Sequence, residues 1–348
     1  MINQAIKQDI RSLSLEEINS FLIAKGEKSF RSKQIYEWLW QKSARSFEEM
    51  SNLSKPLREL LSNHFIINAI EIKTFQKSND GTIKNAFRLF DGNIIEGVLI
   101  PADDRMTACV SSQVGCSLTC SFCATGRMER LRNLNADEIY DQVVTIRNQA
   151  NENYNQPLTN IVYMGMGEPL LNYANVLKSI EHITSEEGLN MSPSRITVST
   201  AGIARMIKKL GDDGVKFNLA LSLHAANDRK RSEIMPINEH NNLETLKEAL
   251  RYFYDKTGTR VTYEYIIFKD FNDSLADAKE LYEFALNVPC KINIIEYNPI
   301  DDAGFQNTLP ERTNAFRDFL ESKGIIVNIR RSRGKDIDAA CGQLANKG

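Results

Sequence analysis

The chain has 348 residues, 43 of them Lys or Arg against 45 Asp or Glu, for a net charge of −2; 42% are hydrophobic and 25% charged. This is the make-up of a globular protein with room for one large and one smaller domain, and it excludes nucleic-acid binding through bulk charge. No apolar run approaches the roughly 20 residues of a membrane span, and the polar start MINQAIKQDIRSLSLEE lacks the apolar core of a signal peptide, so a cytoplasmic protein without membrane contact is expected.

Residues 1–68 read as a small helical domain. LSLEEINSFLIAKG starts at a Ser cap with Glu close behind and stops at Gly26. SKQIYEWLWQK and LSKPLRELLSNHF carry apolar faces at helical spacing. In 69–104 the period changes. TIKNAFRLF and NIIEGVLIP flank Asp91-Gly92, a hairpin turn signal, so this stretch reads as a β-hairpin linker. From 105 to 348 strands alternate with amphipathic helices. Candidate strands are MTACVSSQ, NIVYMG, RITVST, KFNLALSLH, RVTYEYIIF and KINIIEYNP, with IIVNIRRS as a candidate seventh. Six clear units fall short of the eight of a closed TIM barrel, so the expected fold is α/β, a partial (β/α)6 barrel.

Six cysteines occur: Cys109, Cys116, Cys120, Cys123, Cys290 and Cys341. In a reducing compartment, a cluster such as 109–123 points to metal binding or catalysis rather than disulfides. Cys116, Cys120 and Cys123 form a CxxxCxxC run directly after a strand. Three such thiolates can hold three irons of a 4Fe–4S cube and leave the fourth open to a small molecule. A zinc site completed by Cys109 or a distant histidine is the alternative, although structural zinc wants four closed ligands. Phe122 could shield the cube or be ordinary core. Cys290 reads as a small buried residue. Cys341 lies in a glycine-flanked, acidic segment that does not look like core.

Ligand-binding residues of parallel α/β folds sit at the carboxyl ends of strands. Here those ends carry Gly165, Gly167 and Glu168; Ser199 and Thr200; Ser222, Leu223 and His224; and Asn298 before Pro299. Glycines admit close backbone approach and a carboxylate can receive an ammonium group. Each has a plainer reading as a turn, a cap or a structural histidine. Their common placement after the cysteine loop favours a cofactor ring.

CxxxCxxC after the first barrel strand resembles the signature of the radical S-adenosylmethionine superfamily. CVSSQVGCSLTCSFCATG, MGMGEPLLN, SLHAANDRKR, MPIN, EYNP and DIDAACGQL together resemble the RlmN/Cfr family of RNA adenine methyltransferases, over most of the chain. GEKSFRSKQIYEWLW resembles that family's RNA-contacting N-terminal domain. Pro169 and the NDGTIKNAF segment are closer to the RlmN branch, which modifies carbon 2 of adenine, than to Cfr, which modifies carbon 8. The resemblance implies one 4Fe–4S cluster on Cys116, Cys120 and Cys123. It implies two S-adenosylmethionine molecules per turnover, held by Gly167, Glu168, Ser199, Ser222, Leu223, His224 and Asn298. One methylates Cys341. The other yields a 5′-deoxyadenosyl radical that activates the S-methyl group for addition to the adenine. Cys109 then frees the product through a transient disulfide with Cys341, and Glu96 takes the ring proton. Read alone, Glu96 is a carboxylate in an apolar strand, where burial could raise its pKa, or a solvent-facing residue. The implied partners are 23S ribosomal RNA, transfer RNA and a low-potential electron donor such as flavodoxin or ferredoxin, with the chain a monomer. Arg330, Arg331, Arg333 and Lys335 are candidate phosphate contacts, or a solvated charge run. A carbon-8 enzyme and a non-catalytic, metal-stabilised RNA-binding module are the rival readings.

Overall fold

The computed structural model describes residues 7–301 and 303–346. It opens with helices α1 (Leu15–Ala24), α2 (Phe30–Trp40) and α3 (Lys55–His64). α1 starts in a capping box: Ser14 accepts from the Glu17 amide and the Glu17 side chain accepts from the Ser14 amide, satisfying two helix-end donors at once. Ile18 and Leu22 of α1, Ile35 and Leu39 of α2, and Leu57 and Leu61 of α3 bury one face of each helix. These residues run into one continuous core with the rest of the molecule.

Ten strands form one sheet: β1 (Glu71–Lys77), β2 (Ile83–Arg88), β3 (Ile94–Ala102), β4 (Arg105–Cys109), β5 (Asn160–Tyr163), β6 (Ile196–Thr200), β7 (Asn218–Ser222), β8 (Val261–Ile267), β9 (Cys290–Glu296) and β10 (Ile326–Arg330). They lie in chain order from one edge to the other. β1 to β4 are antiparallel, and β4 to β10 are parallel. Between the parallel strands run α4 (Ala136–Tyr154), α5 (Tyr173–Thr184), α6 (Ala204–Asp212), α7 (Asp228–Ile234) with α8 (Leu243–Thr257), α9 (Leu275–Ala285) and α10 (Pro310–Ser322). Six strand–helix units followed by β10 make the open, partial barrel, and IIVNIRRS supplies the seventh parallel strand. All seven residues of β8 are buried, as a parallel strand covered on both faces requires. No described helix is long and apolar enough to cross a membrane.

The segment expected as a hairpin linker has three strands, and β3 pairs with β4 from Val98↔Cys109 to Ala102↔Arg105. It is therefore continuous with the barrel sheet. β3 is buried over most of its length rather than on alternate residues, and α4 packs against it.

The chain's start is fixed to α4 by charge. Arg11, 7% exposed, donates to both oxygens of Asp141 at 2.9 Å and pairs with Asp137 at 2.9 Å and Asp9 at 3.3 Å. Asp9 also accepts from the Asn68 amide and Asp141 from the Ile70 amide. Trp40 of α2 stacks flat on His182 of α5, with centroids 3.5 Å apart.

Candidate active site

A cleft with about 890 Å³ of empty space, part of it open to solvent, lies at the carboxyl ends of the parallel strands. Cys116, Cys120 and Cys123, on the loop after β4, line it together with Cys341. The loop is fixed by backbone hydrogen bonds. Cys123 donates to Cys120 (3.2 Å), Ser121 to Ile234 at the end of α7 (3.0 Å), and Ala124 to Gly342 (2.7 Å). Phe122 packs edge-on against His224 and beside Phe268, making an apolar wall. Burial pushes the Cys116 thiol up to about 11 and those of Cys120 and Cys123 upward as well. Such thiols ionise when a cationic group binds them. Among the described residues no three His, Cys, Asp or Glu side chains form a group that could hold a single metal ion. Three thiols on one loop, with Cys341 reaching the same cavity from the tail, fit a cluster with an open iron better than a closed zinc site.

The next strand ends complete the wall. Gly165 and Gly167 lie where the loop after β5 crosses the SerSerGln segment 111–113. A Cβ on Gly165 would sit 2.7 Å from Ser111 Oγ; one on Gly167, whose φ is +94°, would sit 2.5 Å from Gln113 Cβ. Glu168 is buried, and its carboxylate accepts from the Ala201 amide at 2.7 Å and the Leu170 amide at 3.0 Å. Burial pushes its pKa upward against those hydrogen bonds. Ser199 and Ser222 hydroxyls meet at 3.3 Å. His224 adopts a φ of +56°, and its Nδ1 accepts from the Ile266 amide at 3.0 Å. Burial, then the charge of Arg231, push its pKa down to about 3, so the neutral ring carries its proton on Nε2. Leu223 is fully buried and does not line the cavity; its amide and carbonyl bind Glu264 and Arg231. Asn298 donates from Nδ2 to the Cys341 carbonyl at 3.2 Å, while its buried Oδ1 has no partner among the described residues.

Cys341 is brought in by the tail after β10. Gly334 donates to Asp80 (2.8 Å) and Ser78 to Asp336 (2.5 Å), both in the β1–β2 turn. Thr125 donates to the Leu344 carbonyl (2.6 Å), tying the tail to the cysteine loop. Ala345 donates to Glu96 Oε2 (2.8 Å), and Lys84 Nζ lies 3.5 Å from Glu96 Oε1. Glu96 is only 1% exposed, which removes the solvent-facing reading. Cys109 ends β4; burial and the nearby Cys341 push its thiol up to about 12. Arg330 ends β10, faces the cavity and pairs with buried Glu264 at 3.2 Å. Its positive charge acts on both Cys341 and Cys109. Of the expected phosphate contacts, Arg330 thus points inward and Lys335 pairs with Glu296 at 2.8 Å, whereas Arg331 and Arg333 are exposed. Cys290 is half-buried and donates weakly to the Ala285 carbonyl.

Residues 8–67 match the family described as "Ribosomal RNA large subunit methyltransferase N-terminal domain", and residues 110–285 match the Radical SAM superfamily. The chain is 67% identical over 341 residues to the probable dual-specificity RNA methyltransferase RlmN of Cytophaga hutchinsonii, covering 98% of this chain and 93% of the relative. The chain belongs to the RlmN family. A further RlmN, from Nitratidesulfovibrio vulgaris, is 45% identical, covering 97% of this chain and 94% of its own. The crystal structure of a radical SAM methyltransferase from Sphaerobacter thermophilus superposes with a TM-score of 0.92 at 41% identity, covering 98% of this chain and all of the other.

Several residues that build this RlmN site went unnoticed in the sequence. Arg231 is fully buried and donates to the carbonyls of Ala201, Ser222 and Leu223, so it gathers two strand ends; Asn238 holds its remaining face. Ser111 bridges the Glu96 carbonyl and the Met166 amide, and Gln113 receives the Glu168 amide. Each lies inside a motif already quoted: SLHAANDRKR and MPIN for the first pair, CVSSQVGC for the second. The length of those motifs beyond their ligand-like residues was the available signal.

Proposed function

We propose that this chain is a radical S-adenosylmethionine methyltransferase that methylates carbon 2 of an adenine in 23S ribosomal RNA and of the adenine 3′ to the anticodon in transfer RNAs. One observation carries the reading: Cys341, 218 residues beyond Cys123 in the chain, shares a cavity with the three clustered cysteines, and Cys109 lies beside it. Cys116, Cys120 and Cys123 would hold a 4Fe–4S cluster, which when bound would supply the one electron that converts S-adenosylmethionine into a 5′-deoxyadenosyl radical. Glu168, Ser199, Ser222, His224 and Asn298 orient that molecule; the partnerless Asn298 oxygen and the His224 Nε2 proton are free to bond it. The Cys341 thiolate, which burial disfavours and the charge of Arg330 favours, first attacks the methyl carbon of one S-adenosylmethionine, and S-adenosylhomocysteine leaves. After hydrogen abstraction it carries the methylene carbon to the adenine. Glu96 takes the ring proton, with the electron pair staying in the ring; the adduct's one surplus electron would have to leave to a one-electron oxidant, a role the oxidised cluster would serve when bound. Cys109 thiolate then attacks the Cys341 sulfur. The carbon–sulfur bond breaks with its electrons going to the product carbon, which takes a proton to become the methyl group, and the two cysteines are left as a disulfide for an external thiol to reduce. The target adenine must be unstacked to reach the cavity. A flavodoxin or ferredoxin is the class of electron donor such a cluster needs, and we take the enzyme to act as a cytoplasmic monomer.

Nucleoside analysis of ribosomal and transfer RNA from cells lacking the protein tests this reading. Loss of 2-methyladenosine from both is expected. Undiminished 2-methyladenosine refutes the reading, and loss of 8-methyladenosine instead moves the chain to carbon-8 chemistry. A second arm uses Cys109→Ala protein, which should retain RNA covalently on Cys341. Release of fully methylated RNA by that variant would remove Cys109 from the mechanism.

A further inference from the structure

NDGTIKNAF holds a lysine that the reaction above does not use. Lys84 lies on β2 and Glu96 on β3. Their strands pair Lys84 with Val98 and Ala86 with Glu96, so the two side chains are diagonal neighbours on one face. Lys84 is 5% exposed and Glu96 1%, and Nζ stands 3.5 Å from Oε1. The other hydrogen-bond contacts of Glu96 among the described residues are with uncharged groups. Its Oε2 receives the Ala345 amide from the tail. Its own amide points to Met166 Sδ from the β5 loop, and its carbonyl accepts from Ser111. Across the strand pair, β4 places Cys109 opposite Val98, two residues on from Glu96. Lys84 is its ion-pair partner among the described residues.

We propose that Lys84 is a positioning residue that keeps the buried Glu96 carboxylate ionised and aimed beside the tail, ready to accept a proton at neutral pH. The catalytic meaning of this rests on the reading of Glu96 given above. A buried carboxylate without a cation takes up a proton itself and can then accept none. An ammonium fixed 3.5 Å away on the neighbouring strand opposes that. When the adenine carbon–hydrogen bond breaks, its proton forms an O–H bond on Glu96 and the electron pair stays in the ring; Lys84 keeps its own proton throughout. A buried ion pair is a poor way to stabilise a strand pair that apolar residues could hold. Its place next to the Cys341-bearing tail is accounted for by the base it maintains.

The test compares Lys84→Met, Lys84→Arg and Glu96→Gln with the parent, as full-length holoenzyme. Infrared spectra of resting protein at pH 7 report the protonation state directly. Lys84→Met should gain carboxylic-acid absorption over that of the parent, whose Asp137 already holds a proton near this pH; Lys84→Arg should show no gain, and the double variant Lys84→Met/Glu96→Gln should lose it. Single-turnover RNA methylation by Lys84→Met should fall about 100-fold at pH 7, within the range general-base catalysis supplies. Its rate should rise with pH over a higher range than the parent's, while Lys84→Arg restores most of the loss and S-methylation of Cys341 proceeds in all. A Lys84→Met protein with no acid band beyond the parent's and with the parent's pH profile overturns the proposal. If Lys84→Met does not fold, the parent decides: an acid band that Glu96→Gln removes overturns the proposal, and its absence upholds it. A Glu96→Gln protein that methylates RNA at the parent's rate overturns the reading of Glu96 as proton acceptor, and with it the catalytic part of this one, whatever the infrared result.

Discussion

His182 and His224 are both buried and both held neutral, with pKa values pushed down to about 3 by burial and then by a nearby cation. An imidazole whose folded pKa lies below its unfolded value of about 6.5 adds stability that is complete above that pH. That stability is lost as pH falls toward the folded pKa, at most about 1.4 kcal/mol per pH unit for one group. His182→Phe can keep the flat stack on Trp40 but cannot take a proton. Its unfolding temperature should therefore drop less between pH 7 and pH 5 than the parent's, as followed by circular dichroism. Identical drops would show that His182 does not set this acid sensitivity. At this scale the grouping of Cys116, Cys120 and Cys123 on the loop after a barrel strand was legible from their spacing, and that loop lines the cavity. Lys84, Arg231 and Arg330 were not. A buried cation and a solvated one look alike in a sequence, and Arg330 among three other basic residues read as a surface patch when it is the partner of buried Glu264.

The elements that join the N-terminal helices to the barrel meet in a cluster of one guanidinium and three carboxylates. Burial, against the pull of Arg11 and with the push of Asp9 and Asp141, raises the Asp137 pKa to about 7. The folded cluster thus holds a proton that the unfolded chain releases near pH 4. Its stability contribution is largest at low pH and declines as pH rises from about 4 to 7. Asp137→Asn should gain thermal stability relative to the parent at pH 8 compared with pH 5. Arg11→Met, which leaves buried carboxylates without a cation, should lose about 3–5 kcal/mol at neutral pH in denaturant unfolding. A loss below about 1 kcal/mol would mean the helices are held by apolar contact alone. The strands and helices themselves were readable from periodicity. That β3 continues the barrel sheet was not, since Asp91-Gly92 announces a hairpin whatever its outer strand pairs with. Pairing β3 with β4 is a matter of register, decided by which faces are covered.

Across the whole molecule, the tail joins the two edges of an open sheet. Only residues 331–333 separate the end of β10 from Gly334, which binds the β1–β2 turn at the opposite edge. Gly334 has a φ of +66°, and a Cβ there would sit 2.7 Å from Ala339 Cβ and 2.9 Å from Thr82. Burial alone would raise the Asp80 pKa, but amides of Thr82 and Gly334 hold it down to about 2, so this clasp stays charged at physiological pH. Asp80→Ala should make Cys341 react several-fold faster with an alkylating agent, measured by peptide mass spectrometry; an unchanged rate would assign tail docking to Thr125 and Asn298 instead. The sequence pointed to a loop at Cys341 but not to its landing place, because the partners are 254 residues apart and share no pattern. That separation has a kinetic consequence. Segments so distant meet late, after the strands between them are in place. During refolding the sheet's circular dichroism should recover before Cys341 becomes shielded from alkylation, and simultaneous recovery would contradict this order. Until then the three clustered thiols face an open mouth, which would leave an interval for the iron–sulfur group proposed for them to enter before the fourth sulfur arrives.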